Sequence, residues 1–509
     1  MSLKRNVVAN YLGQAWRALM GLAFVPLYIR YLGIEAYGLI GVFAILQAWL
    51  ALLDMGVRPA LGREMGRFSA GAHDAQSIRD LLRSVEILGL AVAAAIGIAI
   101  WAASGWLATE WVIAKTLPVS VVAQAFAVMG LVTALRLIES IYVTSIAGLQ
   151  RQVLENVVSG IMATVRGVGA VGVLALISPS LEAFFLWQAV VSMMAAGVFA
   201  VALYRALPSP ACPARFSWPA LIGIWRFAAG MIAINFLALL LTQLDKMMLS
   251  RLLPLESFGY YVLAGMVVGA LSMLASPITT AFFPRFTELA TRTDELALRA
   301  AYHQAAQSVT VLMGAAAVVL IFFGDRLLLL WTADSALVKE VAPLLAVLAL
   351  GSLLNGLIWV PYQMQLAHGW TALTMRINAI AVVMLVPALL WVVPKYGAIG
   401  AAWIWVSLNA GGLIFSGHLM FRRLLPTEKR RWYSRDLTFP LAAAAASAWL
   451  CRQAIPHDLG RLAELGALFI SSGLVVIAAA LAAPLVRSHL FALARGAPGD
   501  LPKDRRKDA

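Results

Sequence analysis

Windows of about 20 consecutive apolar residues recur from one end of the chain to the other, and no other feature limits its fold so tightly. In hydrocarbon every backbone N–H and C=O must find its partner inside the protein, so such a window reads as a helix that spans a bilayer core of roughly 30 Å. In order, the windows fall at 7–31, 36–58, 83–105, 118–143, 156–178, 182–204, 226–249, 258–281, 303–324, 339–361, 375–394, 399–421, 437–454 and 463–486. The expectation is an all-α polytopic membrane protein of about fourteen transmembrane helices, a core of twelve plus two Ala-rich helices at the C-terminal end. Composition agrees: 13% charged residues, 62% hydrophobic residues and a mean hydropathy of +0.85 leave too little charge to clothe a water-soluble chain of 509 residues. The first window is too long for a cleavable signal, carries Arg17 at its middle and runs straight into a second.

Lys and Arg fix the expected orientation, because positively charged loops stay cytoplasmic. With the N-terminus inside, one side of the membrane receives most of them, including Arg58, Arg63, Arg67, Arg79 and Arg83, the run Arg422 to Arg435, and Lys503 to Lys507. Both termini are therefore expected in the cytoplasm. The net charge of +14 then describes basic loops lying against anionic membrane lipids, and nucleic acid is not needed to explain it. Cys212 and Cys451 fall on opposite sides, so no disulfide is expected. The six histidines show no ligand spacing, which argues against a metal site.

The chain also repeats itself. Leu32-Gly33-Ile34-Glu35-Ala36-Tyr37-Gly38 matches Leu253-Pro254-Leu255-Glu256-Ser257-Phe258-Gly259 at an offset of 221 residues, and Gly148 leading to Asn156 parallels Gly369 leading to Asn378. Two six-helix bundles in parallel orientation follow, with residues 1–204 and 226–423 as bundles and 205–225 as a cytoplasmic linker containing Pro208, Pro210 and Pro213. Residues 424–486 hold the two additional helices and 487–509 a basic tail. Such symmetry is a transporter architecture, with the substrate between the halves.

A charge in hydrocarbon costs about 2.5–3.5 kcal/mol on insertion scales, so each should face a bundle interior or a wet cavity. Asn10, Gln14, Arg17 and Gly21 lie on one stripe of the first helix; Gln47, Asp54 and Arg58 on one of the second. Thr133, Arg136, Ser140 and Thr144 line the fourth with Glu139 beside them, Ser159 and Arg166 the fifth, and Asn235, Thr242 and Lys246 the seventh, next to Asp245. Asp54 with Arg58, and Glu139 with Arg136, have the spacing of structural ion pairs. Arg58, Arg226 and Lys246 lie near span ends, where long side chains snorkel. Arg17 and Arg166 lie near mid-span without an acid on their own helix, which favours a cavity role. Cations outnumber acids over these spans, so a cavity lined by Arg17, Arg58, Arg136, Arg166 and Lys246 suits an anion; guanidinium matches phosphate oxygens in pairs. Gln14, Asn235, Asn355 and Trp359 are candidate sugar contacts, although polar residues of this kind also serve as glue between helices.

Several loose motifs in order carry a resemblance: Asn10 to Gly13 with Pro26 and Arg30, Tyr37-Gly38, Leu53-Asp54-Met55-Gly56-Val57 running into Arg63, and Gly148-Leu149-Gln150-Arg151 with Asn156. Further on come Gln243-Leu244-Asp245-Lys246, Phe258-Gly259-Tyr260-Tyr261, Pro284-Arg285-Phe286, and Tyr396-Gly397 through Trp403. Over about 400 residues the chain resembles the oligosaccharide-lipid flippases of bacterial polysaccharide assembly, within the multidrug, oligosaccharidyl-lipid and polysaccharide exporter superfamily. The resemblance implies alternating access around a cationic lumen in the inner membrane, moving an undecaprenyl-pyrophosphate-linked oligosaccharide for O-antigen or exopolysaccharide assembly. Arg17, Asp54, Arg58, Asp245 and Lys246 match its charged positions. It also implies a polysaccharide polymerase and chain-length machinery as partners. No bound cofactor is expected; a proton or sodium gradient would act through Asp54, Glu139 or Asp245. A drug antiporter of the same fold would call for acids to dominate the cavity. An enzyme acting on the same glycans would call for a large outer loop presenting acids and bases, and the outer loops are about a dozen residues or fewer.

Overall fold

Helices account for the secondary structure of the described residues, save one isolated backbone pairing, Ile113 with Pro254. The computed structural model describes residues 3–69, 71, 73–208, 212–456 and 459–494; side chains at 3–8, 50–59, 223–235, 237–238, 241, 371, 489–490 and 492–494 lie outside that description. The elements are α1 (Leu3–Ala23), α2 (Val25–Leu32), α3 (Ile34–Ser69), α4 (Ala75–Trp106), α5 (Val119–Gly148), α6 (Gln152–Leu176), α7 (Leu181–Ala206), α8 (Trp218–Leu252) and α9 (Leu255–Thr291). They continue as α10 (Glu295–Val309), α11 (Ala315–Thr332), α12 (Ser335–Ala367), α13 (Thr371–Leu424), α14 (Lys429–Arg431), α15 (Phe439–Ala454), α16 (Arg461–Ala482) and α17 (Pro484–Ala494). Each apolar window falls on helix. Among the described residues nine helices are long and apolar enough to cross a membrane, and the chain is a multi-pass membrane protein.

Local chemistry explains where helices stop. The first window is not one helix: it breaks at Phe24, because Pro26 brings no N–H and its ring crowds the preceding turn. The windows 375–394 and 399–421 are two helical stretches of α13, as their separation implies, and they are divided at Gly397, whose φ of 61° and ψ of −148° a side chain would resist. Asp74, Ser180, Ser217, Asp294 and Asp334 cap the helices that follow them through side-chain oxygens on exposed backbone N–H groups.

Two compact units result, Met1–Val262 and Leu263–Ala509. In the first, α3, α4, α5 and α7 bury Leu61, Met65, Leu82, Ile141 and Phe199 in one cluster. The Pro-rich connection is strapped to the start of α4: Gln76, Asp80 and Ser84, one turn apart, accept from the backbone N–H of Cys212, Arg215 and Ser217 at 3.1, 2.8 and 2.7 Å. In the second, α11, α15 and α16 share Val318, Phe323, Ala448, Leu468 and Val475, and Arg452 grips Asp325 through both guanidinium nitrogens at 3.0 and 2.8 Å.

The first repeat has a counterpart in space. A Cβ on Gly38 would lie 2.1 Å from the carbonyl oxygen of Leu255, and one on Gly259 would lie 2.6 Å from that of Ile34. Ile34 and Leu255 are themselves equivalent at the 221-residue offset, so α3 and the start of α9 meet reciprocally, backbone to backbone, where only glycine fits. The second repeat needs a new register. Its turns are matched by Gln150 and Gly369, the residues with φ of 59° and 66°, so the structural offset there is two residues shorter than the one the letters suggest.

Candidate functional site

The polar stripe of α1 faces α6. Gly13 permits this, since a Cβ there would strike the Asn156 carboxamide oxygen at 2.1 Å. Asn156 is the node of the seam: its amide nitrogen donates to Asn10 Oδ1 at 2.6 Å and to the Gln152 carbonyl at 2.8 Å, and its oxygen accepts from Arg17 Nη1 at 3.1 Å. Asn10 donates onward to Gln152 Oε1 at 2.7 Å, and Trp16 to Thr164 Oγ1 at 3.0 Å. Arg17 also lies 3.7 Å from Glu155, and its side chain keeps 39% of its surface exposed. Gln14, on the same helix, is exposed.

A second group lies among α3, α5, α6 and α7. Glu139 pairs with Arg166 at 3.5 Å rather than with Arg136 one turn away, and Arg166 also donates to Ser192 Oγ at 3.4 Å. Arg136 instead donates to Gln188 Oε1 at 3.4 Å and stacks 5.2 Å from the centre of the Phe43 ring. Its Nε and that of Arg166 are buried with no hydrogen-bond partner. Gln47 of α3 donates to Thr133 of α5.

Lack of a neighbouring acid is the sequence argument for a cavity role of Arg17 and Arg166, and the structure corrects it. Each has an acid on a neighbouring helix, Glu155 and Glu139, which a single-helix pattern cannot reveal. Of the described candidates, Arg17, Arg136, Arg166 and Lys246 stand against Glu139 and Asp245, and Glu155 in the first turn of α6 adds a third acid. On α8, Asp245 accepts from the Tyr261 hydroxyl at 3.1 Å, while its other oxygen is buried without a partner. Asp54, Arg58, Arg226 and Asn235 have side chains outside the described residues.

The sugar candidates of the second unit bind one another. Trp359 Nε1 donates to Asn355 Oδ1 at 3.1 Å, Asn355 Nδ2 to Asn409 Oδ1 at 2.8 Å, and Asn409 to the Trp405 carbonyl at 2.8 Å. This chain is the interhelical glue of α12 with α13, and it leaves the Trp359 ring rather than its N–H for any stacking role. Glu155, Gln188 and Ser192 complete the arrangement and are not singled out by sequence; each matters only through a partner on another helix.

Residues 3–290 match the family described as polysaccharide biosynthesis protein. Among solved structures, the chain is similar to the lipid II flippase MurJ in an inward closed conformation, with a TM-score of 0.70 at 12% identity over 96% of this chain and 99% of that one. It is similar as well to the MATE multidrug transporter DinF-BH, with a TM-score of 0.59 at 13% identity over 83% of this chain and 95% of that one. An inward-facing multidrug resistance MATE family transporter of the MOP superfamily gives 0.59 at 15% identity over 80% and 95%. At these identities the likeness is one of fold. No curated protein matches.

Proposed function

The chain belongs to the polysaccharide biosynthesis protein family, and from that premise we propose that it is a flippase carrying a lipid-linked oligosaccharide across the bacterial inner membrane. Family and fold are those of transporters, not enzymes. The cargo in this reading is an undecaprenyl-pyrophosphate-linked glycan bound for O-antigen or exopolysaccharide, taken from the cytoplasmic to the periplasmic leaflet by alternating access of two helical bundles. Both termini are cytoplasmic. A polymerase and chain-length machinery receive the product, and a proton or sodium gradient drives transport through Asp54, Glu139 or Asp245.

One observation carries the proposal: the part-exposed Arg17 guanidinium is held by Asn156 in a polar seam between α1 and the start of α6. A diphosphate offers several acceptor oxygens to such a group, and a charge-assisted pair is worth most where water is scarce. Arg58, Arg136, Arg166 and Lys246 extend the positive field, with Gln14 and Asn235 as sugar contacts. Charge reversal at Arg17 or Arg166 is expected to abolish glycan export while protein level in the membrane stays at wild type, measured by surface glycan staining against immunoblot. Normal export by both variants would remove the cationic site from the mechanism.

A second reading, a drug antiporter, is favoured by the likeness to the MATE structures. The charge balance opposes it, since organic cations call for acids in excess.

A further inference from the structure

A buried imidazole in the second unit sits between two carboxylates. His303 of α10 is fully buried; its Nδ1 meets Asp436 Oδ2, and its Nε2 lies 2.9 Å from Glu428 Oε2. The other oxygen of Asp436, itself fully buried, accepts from Gln307 Nε2 at 2.8 Å, and Gln307 Oε1 accepts from the backbone N–H of Leu485 in the first turn of α17 at 2.8 Å. Three segments meet here: α10 carries the ring, the stretch 428–438 that leads into α15 presents both carboxylates, and α17 joins through Gln307. Asp436 lies in a π-helical turn, Trp432–Thr438, a geometry kept where a side chain must be aimed.

Donor counting sets the proton content. An ionised carboxylate only accepts, and a neutral imidazole has one donor and one acceptor. Two carboxylates on the two ring nitrogens therefore require one proton more than a neutral ring supplies. The surrounding charges are consistent with it. Glu428 also lies 3.5 Å from Arg299 and 3.7 Å from Arg431. Burial works to raise the Glu428 carboxyl, but the His303 hydrogen bond and the charges of His303, Arg431 and Arg299 outweigh it and hold it below its ordinary value. Arg299 is shared with Glu295 at 2.9 Å, and Lys429 is engaged by His418 at 2.8 Å. The Tyr302 ring stands edge-on to His303 with its hydroxyl buried, Tyr433 flanks Trp432, and Arg435 is exposed. From α13, Phe421 packs on Tyr302, and from α9, Phe286. Between Glu340 and Tyr362, α12 brings no ionisable residue.

We propose that this shared proton is a latch: it fastens the C-terminal helices α15, α16 and α17 to α10, and its loss as pH rises releases them. The released state carries one proton fewer, so wherever only the fastened state holds the extra proton the opening equilibrium grows about tenfold per pH unit. Such a device lets proton availability govern whether the two added helices stay docked on the core.

The test is hydrogen exchange at amides of 432–454 and 461–482 in the full chain in lipid nanodiscs, over a pH series and corrected for the intrinsic base-catalysed rate. In wild type the corrected protection is expected to fall about tenfold per unit on the alkaline side. Glu428→Gln offers an amide that donates to a neutral ring, so protection should persist and its pH slope vanish; His303→Gln should also lack the slope. Asp325→Asn, which loosens the same helices at their other end, should lower protection equally at every pH. A wild-type slope of zero, a wild-type slope retained by Glu428→Gln, or a slope lost in Asp325→Asn would each overturn the latch. The Glu428 variant keeps the test decisive if His303→Gln does not assemble.

Discussion

Arg17 and Arg166 illustrate how a residue's role depends on neighbours that its own helix does not name. Both guanidiniums are visible in the sequence as costly intramembrane charges, yet the acids that temper them, Glu155 and Glu139, sit on other helices and reach them only after packing. Asn156 uses both its amide hydrogens and its oxygen within the seam, so it orients Arg17 as well as joining α1 to α6. Outside the spans, Glu64 shows the same dependence. Burial would raise its carboxyl, but hydrogen bonds from His73 and Arg67, at 2.8 and 2.9 Å, and their charges hold it below the usual value. A carboxyl depressed on folding adds stability above its unfolded pKa and loses it as pH falls through the folded one. Glu64→Gln is therefore expected to flatten the acid limb of the pH–stability profile of the purified protein, read by thermal unfolding; an unchanged acid limb would show that the cluster contributes nothing.

At the scale of the element, the reciprocal meeting of Gly38 and Gly259 is the feature with the clearest cost. Backbone faces backbone there, so no flexible side chain can yield. Gly38→Ala is expected to destabilise by about 1–3 kcal/mol, as overpacking does, and to lower the melting temperature of the detergent-solubilised protein measurably. Gly105→Ala is the control, because nothing lies within 4 Å of its Cβ position. Equal stability of the two variants would mean that α3 and α9 do not meet this closely. The helices themselves were legible from hydropathy, but several boundaries were not: α3 and α9 run on to Ser69 and Thr291, and α4 and α8 begin at Ala75 and Trp218, beyond the apolar windows 36–58, 258–281, 83–105 and 226–249. The gap between the windows 375–394 and 399–421 already marked the break at Gly397; the break at Phe24 was not legible, because hydropathy averaged over a span does not register the single Pro26 that decides it.

For the whole molecule, the flippase and antiporter readings make opposite demands on a deletion strain. The expected phenotype is loss of surface glycan with susceptibility to cationic dyes and drugs unchanged, measured by glycan staining beside growth inhibition. Sensitisation to cationic compounds with glycan intact would favour the antiporter. The family match and the fold agree with the resemblance carried by the spaced motifs, and the sequence supplied that resemblance without any one motif being strong.

What the chain by itself determined is its solvent and its periodicity. Hydropathy is a sum over neighbours in sequence, so the membrane class, the helices, the internal repeat and the cost of Arg17 could be read directly. What tertiary structure alone decided are the pairings: Arg166 with Glu139, Trp359 with Asn355 and Asn409, and His303 with Asp436, 133 residues away. A hydrogen bond between side chains acts over about 3 Å, and no pattern along one helix specifies which residue of another will stand within that reach.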